Sequence, residues 1–339
     1  MHAHFLLEMS KRYVKFNYDA FVKVAVEAVS ARSCTSFRKI SEGLSFLSVP
    51  ACTVWLHGIQ GMFNRGFLLS FGNGAEAVAR LPFPIVGSPH LVTASEVATM
   101  DFARTVLKIP VPRVLAWSSR PSNVGTEFLI CEKAPGVEMK EVWNNTQYQD
   151  FVNLAHISKA IYDIEKKFIS CQFSNYGSIF YKKDLEGLPQ SNGLWADGRR
   201  HKASERFAIG PMMIWDLWRG ERSTMGIDRG PCMSNLTTVI LTLLSGVDPQ
   251  SFVAGLVKCE QEWIRRFAVP RPPGDPFFRS RDDNSPTKHI EALDMYLAAS
   301  KHLVLDGPFA APTLWHTNLH QSNIFVSPTP PHDILAVID

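Results

Sequence analysis

The stretch Leu314-Trp315-His316-Thr317-Asn318-Leu319-His320-Gln321-Ser322-Asn323-Ile324-Phe325-Val326, followed by Ile334-Leu335-Ala336-Val337-Ile338-Asp339, decides how this chain is read. A polar cluster lies just before one apolar run, and a second apolar run ends on a carboxylate. Two strands joined by a short turn bring Asn323 and Asp339 to one edge. An amide oxygen and a carboxylate are ligands for a hard cation such as magnesium. The ordinary alternative is an Asn in a turn and an Asp after a strand. His316 and His320 stand four apart, a spacing used by zinc sites, but neither a suitably placed Glu nor a third ligand accompanies them.

Working outward, 339 residues suffice for two lobes and a sizeable core. The chain is 45% apolar and 20% charged, ordinary for a globular protein. A net charge of +3 gives no basic field that argues for nucleic acid or a membrane surface. The apolar runs around Leu236–Val247 and Leu44–Ile59 are too short or interrupted to span a bilayer, so no membrane span is expected. Six scattered cysteines without a C-x-x-C pair point to a reducing, intracellular compartment. Residues 1–8 carry neither a full apolar signal core nor an Arg/Ser-rich amphipathic helix.

Apolar spacing over Tyr18–Arg32 predicts an early amphipathic helix. Gly66–Phe71 and Ala75–Leu81 flank Gly72-Asn73-Gly74, a strong hairpin signal. Thr93-Ala94-Ser95-Glu96 has capping-box spacing before a helix over Val97–Leu107, which Pro110 and Pro112 end. Strands follow over Arg113–Ser118 and Thr126–Glu132. After Ala134-Pro135-Gly136 the pattern becomes helical, at Phe151–Phe168, Pro249–Phe267 and His289–Leu305. Gly187–Pro231 reads as a long connection with little regular structure. The expected fold class is α+β: an antiparallel sheet lobe, residues 1–133, and a mainly helical lobe, residues 134–339.

With these pieces in order, the chain resembles the aminoglycoside phosphotransferase-like (protein kinase-like) enzymes, in particular the fungal branch that includes the altered inheritance of mitochondria protein 9 family. The matching stretches are Gly61–Gly66, Val78–Pro82, Ser95–Met100, Ile109–Val114, Phe128–Lys133, Glu205–Pro211, Ile227–Pro231 and His316–Asp339. The resemblance implies a bilobal kinase-like fold with ATP and magnesium as cofactors. It also implies a small hydroxylated acceptor and a mitochondrial location, which no presequence here supports.

Its site residues carry over one by one. The Gly61–Gly66 segment, with Asn64 and Arg65, would cover the phosphates, though the motif taken alone reads more readily as an ordinary turn. Arg80 would contact the α/β-phosphates in place of the usual Lys, or else snorkel from an edge strand. Glu96 would orient Arg80, or else belong to the capping box. Glu132 would lie at the nucleotide. Asn323 and Asp339 would hold magnesium. His316 and His320 would support the loop by bonding backbone groups.

Two departures qualify the expected activity. The resembled pattern has an aspartate at the place of Asn318, which takes or orients the acceptor's proton. An amide lacks that basicity, and general-base help is worth roughly 10²–10⁴ in rate. Phosphoryl transfer leans more on positioning and charge, so loss rather than abolition is expected. The resembled pattern also continues past Asp339 into helices that build the acceptor pocket. The expectation is therefore an impaired phosphotransferase, with a catalytically dead, nucleotide-binding or structural pseudokinase as the alternative.

One stretch breaks the match. Lys39–Gly43 and Met62–Arg65 read as though they should join, and the apolar Leu44–Gly61 between them has neither helical nor alternating period. It is expected to be an insertion, such as a retained intron. Sequencing the spliced message should find Leu44–Gly61 absent from the dominant transcript; codons for it there would refute the expectation.

Overall fold

The structure is a computed structural model that describes residues 13–41, 64–84, 87–145, 151–191, 193–198, 202–227, 229–230, 249–304 and 310–339. The expected insertion Leu44–Gly61 lies outside the described residues. The chain forms two compact units, residues 1–171 with 314–339, and residues 172–313. The expected boundary near 133/134 falls within the first unit, where residues 137–138 pair with a strand of the closing segment.

In the first unit, helix α1 (Tyr18–Ala28) opens on Asn17, whose side chain accepts the Ala20 N–H at 3.1 Å, a standard N-cap. Strands β1 (Cys34–Ser41), β2 (Asn64–Phe71) and β3 (Glu76–Pro82) follow, then helix α2 (Leu91–Thr105), β4 (Val114–Ser118) and β5 (Phe128–Glu132). They make an antiparallel five-stranded sheet in the order β1-β2-β3-β5-β4. The class is α+β, as expected, with one helix between β3 and β4.

Alternation along the strands gives the sheet two faces. Phe67, Leu69 and Phe71 of β2, Ala77, Ala79 and Leu81 of β3, and Phe128 and Ile130 of β5 pack with Phe21 and Ala25 of α1. Fully burying each large apolar side chain is worth about 1.5–3 kcal/mol. Gly66, Leu68, Val78, Arg80, Leu129 and Cys131 take the opposite parity. Arg80 therefore sits on a central strand, not an edge.

Helix α2 departs from expectation at its start. It begins at Leu91, so Thr93 and Glu96 lie inside it, and its N-cap His90 makes no side-chain capping bond. The cap comes from outside. Glu127 accepts the His90 N–H at 2.8 Å and the Thr93 hydroxyl at 2.6 Å. Burial raises the Glu127 carboxyl above its ordinary value, while these two donors act the other way. The capping-box reading of Glu96 falls with this.

The unit continues through β6 (Val137–Glu138), α3 (Met139–Asn145) and α4 (Phe151–Ile169), and closes with β9 (Ile324–Val326) and β10 (Ile334–Val337). These strands form a sheet in the order β10-β9-β6. Met139, Ile157, Ile324 and Val326 form its core, with Leu319 packed against it.

The second unit carries β7 (Ser178–Tyr181), α5 (Lys202–Arg206), β8 (Phe207–Gly210), α6 (Pro249–Phe267) and α7 (Pro286–Leu303). Strand β8 pairs antiparallel with β7 inside the stretch expected to be irregular. All four β8 residues are buried, and so short a run shows no period. Helix α7 starts three residues before its expected His289, with Ser285 capping and Pro286 at its head. It is tied to α6 by Gln261 donating to Asp294 (2.7 Å) and Gln250 donating to Ser300 (2.6 Å). Among the described residues, no helix is long and apolar enough to cross a membrane.

Gly136 holds the β6–β9 junction. Its φ is +85°, and a Cβ there would run into the Val326 carbonyl. Gly136→Ala should lose roughly 2 kcal/mol or more from backbone strain plus displacement of β9. A lowered urea midpoint checks this; an unchanged midpoint would refute it.

Candidate functional site

The site lies wholly within the first unit. The loop before β9 is organised by two histidines acting alike. His316 Nδ1 accepts the Asn318 N–H at 3.2 Å, and His320 Nδ1 accepts the Ser322 N–H at 3.1 Å. His316 Nε2 then donates to the Ile338 carbonyl at 3.2 Å, tying the loop to the end of β10. Phe168 of α4 packs its ring edge-on against His316, with centroids 6.0 Å apart. Burial lowers the His316 pKa from 6.5, which suits a neutral imidazole with one accepting and one donating nitrogen. Among the described residues there is no group of three or more His, Cys, Asp or Glu that could hold a metal ion.

Backbone bonds set the rest of the loop. His320 N–H donates to the Asn318 carbonyl (2.9 Å), Asn323 N–H to the His320 carbonyl (2.8 Å), and Ile338 N–H to the Asn323 carbonyl (3.0 Å). Val337 N–H donates to the Pro110 carbonyl at 2.8 Å, linking β10 to the segment after α2. Asn323 and Asp339 are brought together as the strand pairing predicts.

Asp339 is the meeting point. Asn318 Nδ2 donates to its Oδ2 at 2.9 Å, and Asn323 Nδ2 approaches the same oxygen at 3.3 Å. Arg80 Nη1 lies 3.7 Å from Asp339 Oδ1 and 2.9 Å from Glu96 Oε1. The Arg80 and Glu96 side chains are largely enclosed, at 18% and 27% exposure. Glu96 chiefly holds the Arg80 pKa above its ordinary range, with Asp339 a smaller contributor. Removing either partner of an enclosed pair leaves a charge uncompensated, at a cost of about 3–5 kcal/mol when fully buried.

Of the other residues singled out in the sequence, Asn64 shares the strand face of Gly66 and Arg80. Arg65 and Glu132 do not. By register Arg65 pairs with Leu81 and Glu132 with Ala77, which places both on the α1 face. Glu132 is engaged by Arg113, whose Nε donates at 3.0 Å. Residues 61–63 of the glycine segment lie outside the described residues. Two neighbours were not foreseen. Cys131 lies beside Arg80 and Glu96, and burial pushes its thiol up to about 11, so it stays protonated. Glu127 had no signal in the sequence, since a cap supplied from a distant turn leaves no local spacing.

The donor set fits a hard cation in part. The second Asn323 amide hydrogen goes to the Asn318 carbonyl at 3.0 Å, which leaves Oδ1 as the acceptor atom of that amide. That oxygen and the Asp339 carboxylate are hard ligands suited to magnesium. Both Asp339 oxygens, however, already face nitrogen donors of the protein.

No protein-family profile matches the chain. A subtelomeric hrmA-associated cluster protein of Aspergillus fumigatus is 36% identical over 296 residues, which are 83% of this chain and 55% of the relative. The altered inheritance of mitochondria protein 9 of Candida dubliniensis is 25% identical over 199 residues, 56% of this chain and 32% of the relative. The chain thus spans about half, or less, of the curated relatives it matches. Among solved structures, aminoglycoside phosphotransferase APH(4)-Ia with ADP and hygromycin B aligns with a TM-score of 0.44 at 14% identity, covering 94% of this chain and 70% of that one. The sequence relatives include the fungal proteins anticipated from the motifs.

The lowered His316 pKa gives a pH prediction. Protons bind the unfolded His316 more readily than the folded one. Stability is therefore retained above the ordinary pKa of 6.5 and lost as pH falls from there toward the depressed folded value. His316→Gln should lose part of that acid sensitivity, read as a flatter dependence of unfolding midpoint on pH.

Proposed function

We propose that this chain carries a kinase-like nucleotide site and that its reaction, ATP- and magnesium-dependent phosphoryl transfer to a small hydroxylated acceptor, is impaired by Asn318. The observation that carries this reading is the Glu96–Arg80–Asp339 line of alternating charge beside Asn318 and Asn323. A guanidinium held by Glu96 presents a fork to α/β-phosphate oxygens. Asn323 Oδ1 and Asp339 would hold magnesium, which when bound neutralises phosphate charge. Asn64 shares the strand face of Arg80 and is assigned to the nucleotide; Arg65 and Glu132 are not.

Asn318 can orient a hydroxyl through its amide oxygen but cannot remove a proton. His316 and His320 act as positioning residues, since both are engaged with backbone N–H groups of the loop. The second reading, a nucleotide-binding pseudokinase without turnover, is favoured by one contact: the Asn318 amide donates to Asp339 at 2.9 Å. A mitochondrial location is proposed from the names of the relatives alone.

A thermal-shift titration of the full chain with ATP, with and without magnesium, tests the site. A rise in unfolding temperature is expected, and none would refute both readings. If ATP binds, Asn318→Asp should raise ATP consumption by roughly 10²-fold or more, the scale of general-base help. Equal rates in the two proteins would remove the argument from the missing base.

A further inference from the structure

We propose that Asn318 is a latch on the metal carboxylate: its amide occupies the Asp339 oxygen that a divalent cation needs, so this chain holds such a cation weakly. The inference rests on reading Asp339 as a metal ligand. It goes further by giving the substituted residue a positive action instead of a lost one.

The geometry carries it. Asp339 Oδ2 receives Asn318 Nδ2 at 2.9 Å and Asn323 Nδ2 at 3.3 Å, while Oδ1 faces Arg80 Nη1 at 3.7 Å. Asn323 is committed elsewhere as well, to the Asn318 carbonyl, so the shorter Asn318 bond is the principal donor on that oxygen. The Asn318 side chain is held in place from its own backbone, because the N–H is fixed on His316 and the carbonyl accepts from His320 N–H and Asn323 Nδ2. A carboxylate in the place of Asn318 would repel Asp339 and remove the shorter of the two bonds that Oδ2 accepts. An amide there does the reverse: it donates a hydrogen bond to the carboxylate, and a cation must break that bond to bind. Hydrogen bonds to charged groups are among the stronger ones in proteins.

Titrating Mn2+ alone into the full chain, with free ion read by electron paramagnetic resonance, tests the latch without any turnover. Asn318→Ala removes the donor and adds no charge, so it should bind Mn2+ roughly tenfold more tightly than the wild type, the scale of one hydrogen bond to a charged group. Asn318→Asp should tighten binding at least as much. Asn318→Ser, too short to reach Asp339, gives the same reading should the alanine variant fold poorly, and metal-free melting curves establish which variants are folded. Unchanged Mn2+ affinity in the alanine and serine variants overturns the latch. Tightening in Asn318→Asp alone also overturns it, since added charge then accounts for the gain. Absence of Mn2+ binding in every variant overturns it too. The ATP shift of the wild type is read separately: its absence removes the proposed nucleotide site, while the Mn2+ series still decides the latch.

Discussion

Strand β9 is the constraint on which the candidate site depends. Three residues, Ile324–Val326, pair with β10 on one side and β6 on the other. Ile324 and Val326 are buried against Met139 and Ile157, and this apolar anchorage fixes where Asn323 enters the strand. The same pairing fixes where β10 leaves, so Asp339 arrives beside Asn323. Burial of a few aliphatic side chains, each worth about 1.5–3 kcal/mol, thus positions groups that have no stabilising reason to be together. Polar residues there must satisfy one another, and the network around Asp339 is how they do so.

Much of this was legible in the sequence. The Gly72-Asn73-Gly74 turn between two apolar runs marked β2 and β3 as a hairpin. The closing motif marked β9 and β10 and brought Asn323 to Asp339. What escaped has physical causes. Strand β1 is a mostly exposed edge with few apolar residues and with the charged Arg38 and Lys39 along it, so it shows little periodicity. Strand β8 is too short to show any. Thr93 to Glu96 has the spacing of a capping box, yet the helix starts earlier because a carboxylate from outside caps it.

At the site the sequence named the residues better than their partners. Arg80 and Glu96 each had two readings, and the fold separates them by setting Arg80 on a central strand and Glu96 inside a helix. Arg65 follows Asn64 by one residue, and that single step moves it to the other face of the sheet. Asn318 could be read as an absence, a base not present. Its bond to Asp339 becomes visible only once the loop and the end of β10 are folded together.

The Glu127 cap extends the reach of the site beyond its own residues. Glu127 holds the His90 and Thr93 end of α2, and Glu96 stands six residues along from His90, about 9 Å at the helical rise per residue. The turn Pro121–Gly125, on the way from β4 to β5, carries Glu127 at its far end. Helix α2 is therefore moored at its leading edge by a surface connection, much as a lever is moored at its pivot. The guanidinium of Arg80 takes its bearing from a residue on that lever. Sequence drift in that turn can reach the candidate site by this route, without altering any group placed at the ligand.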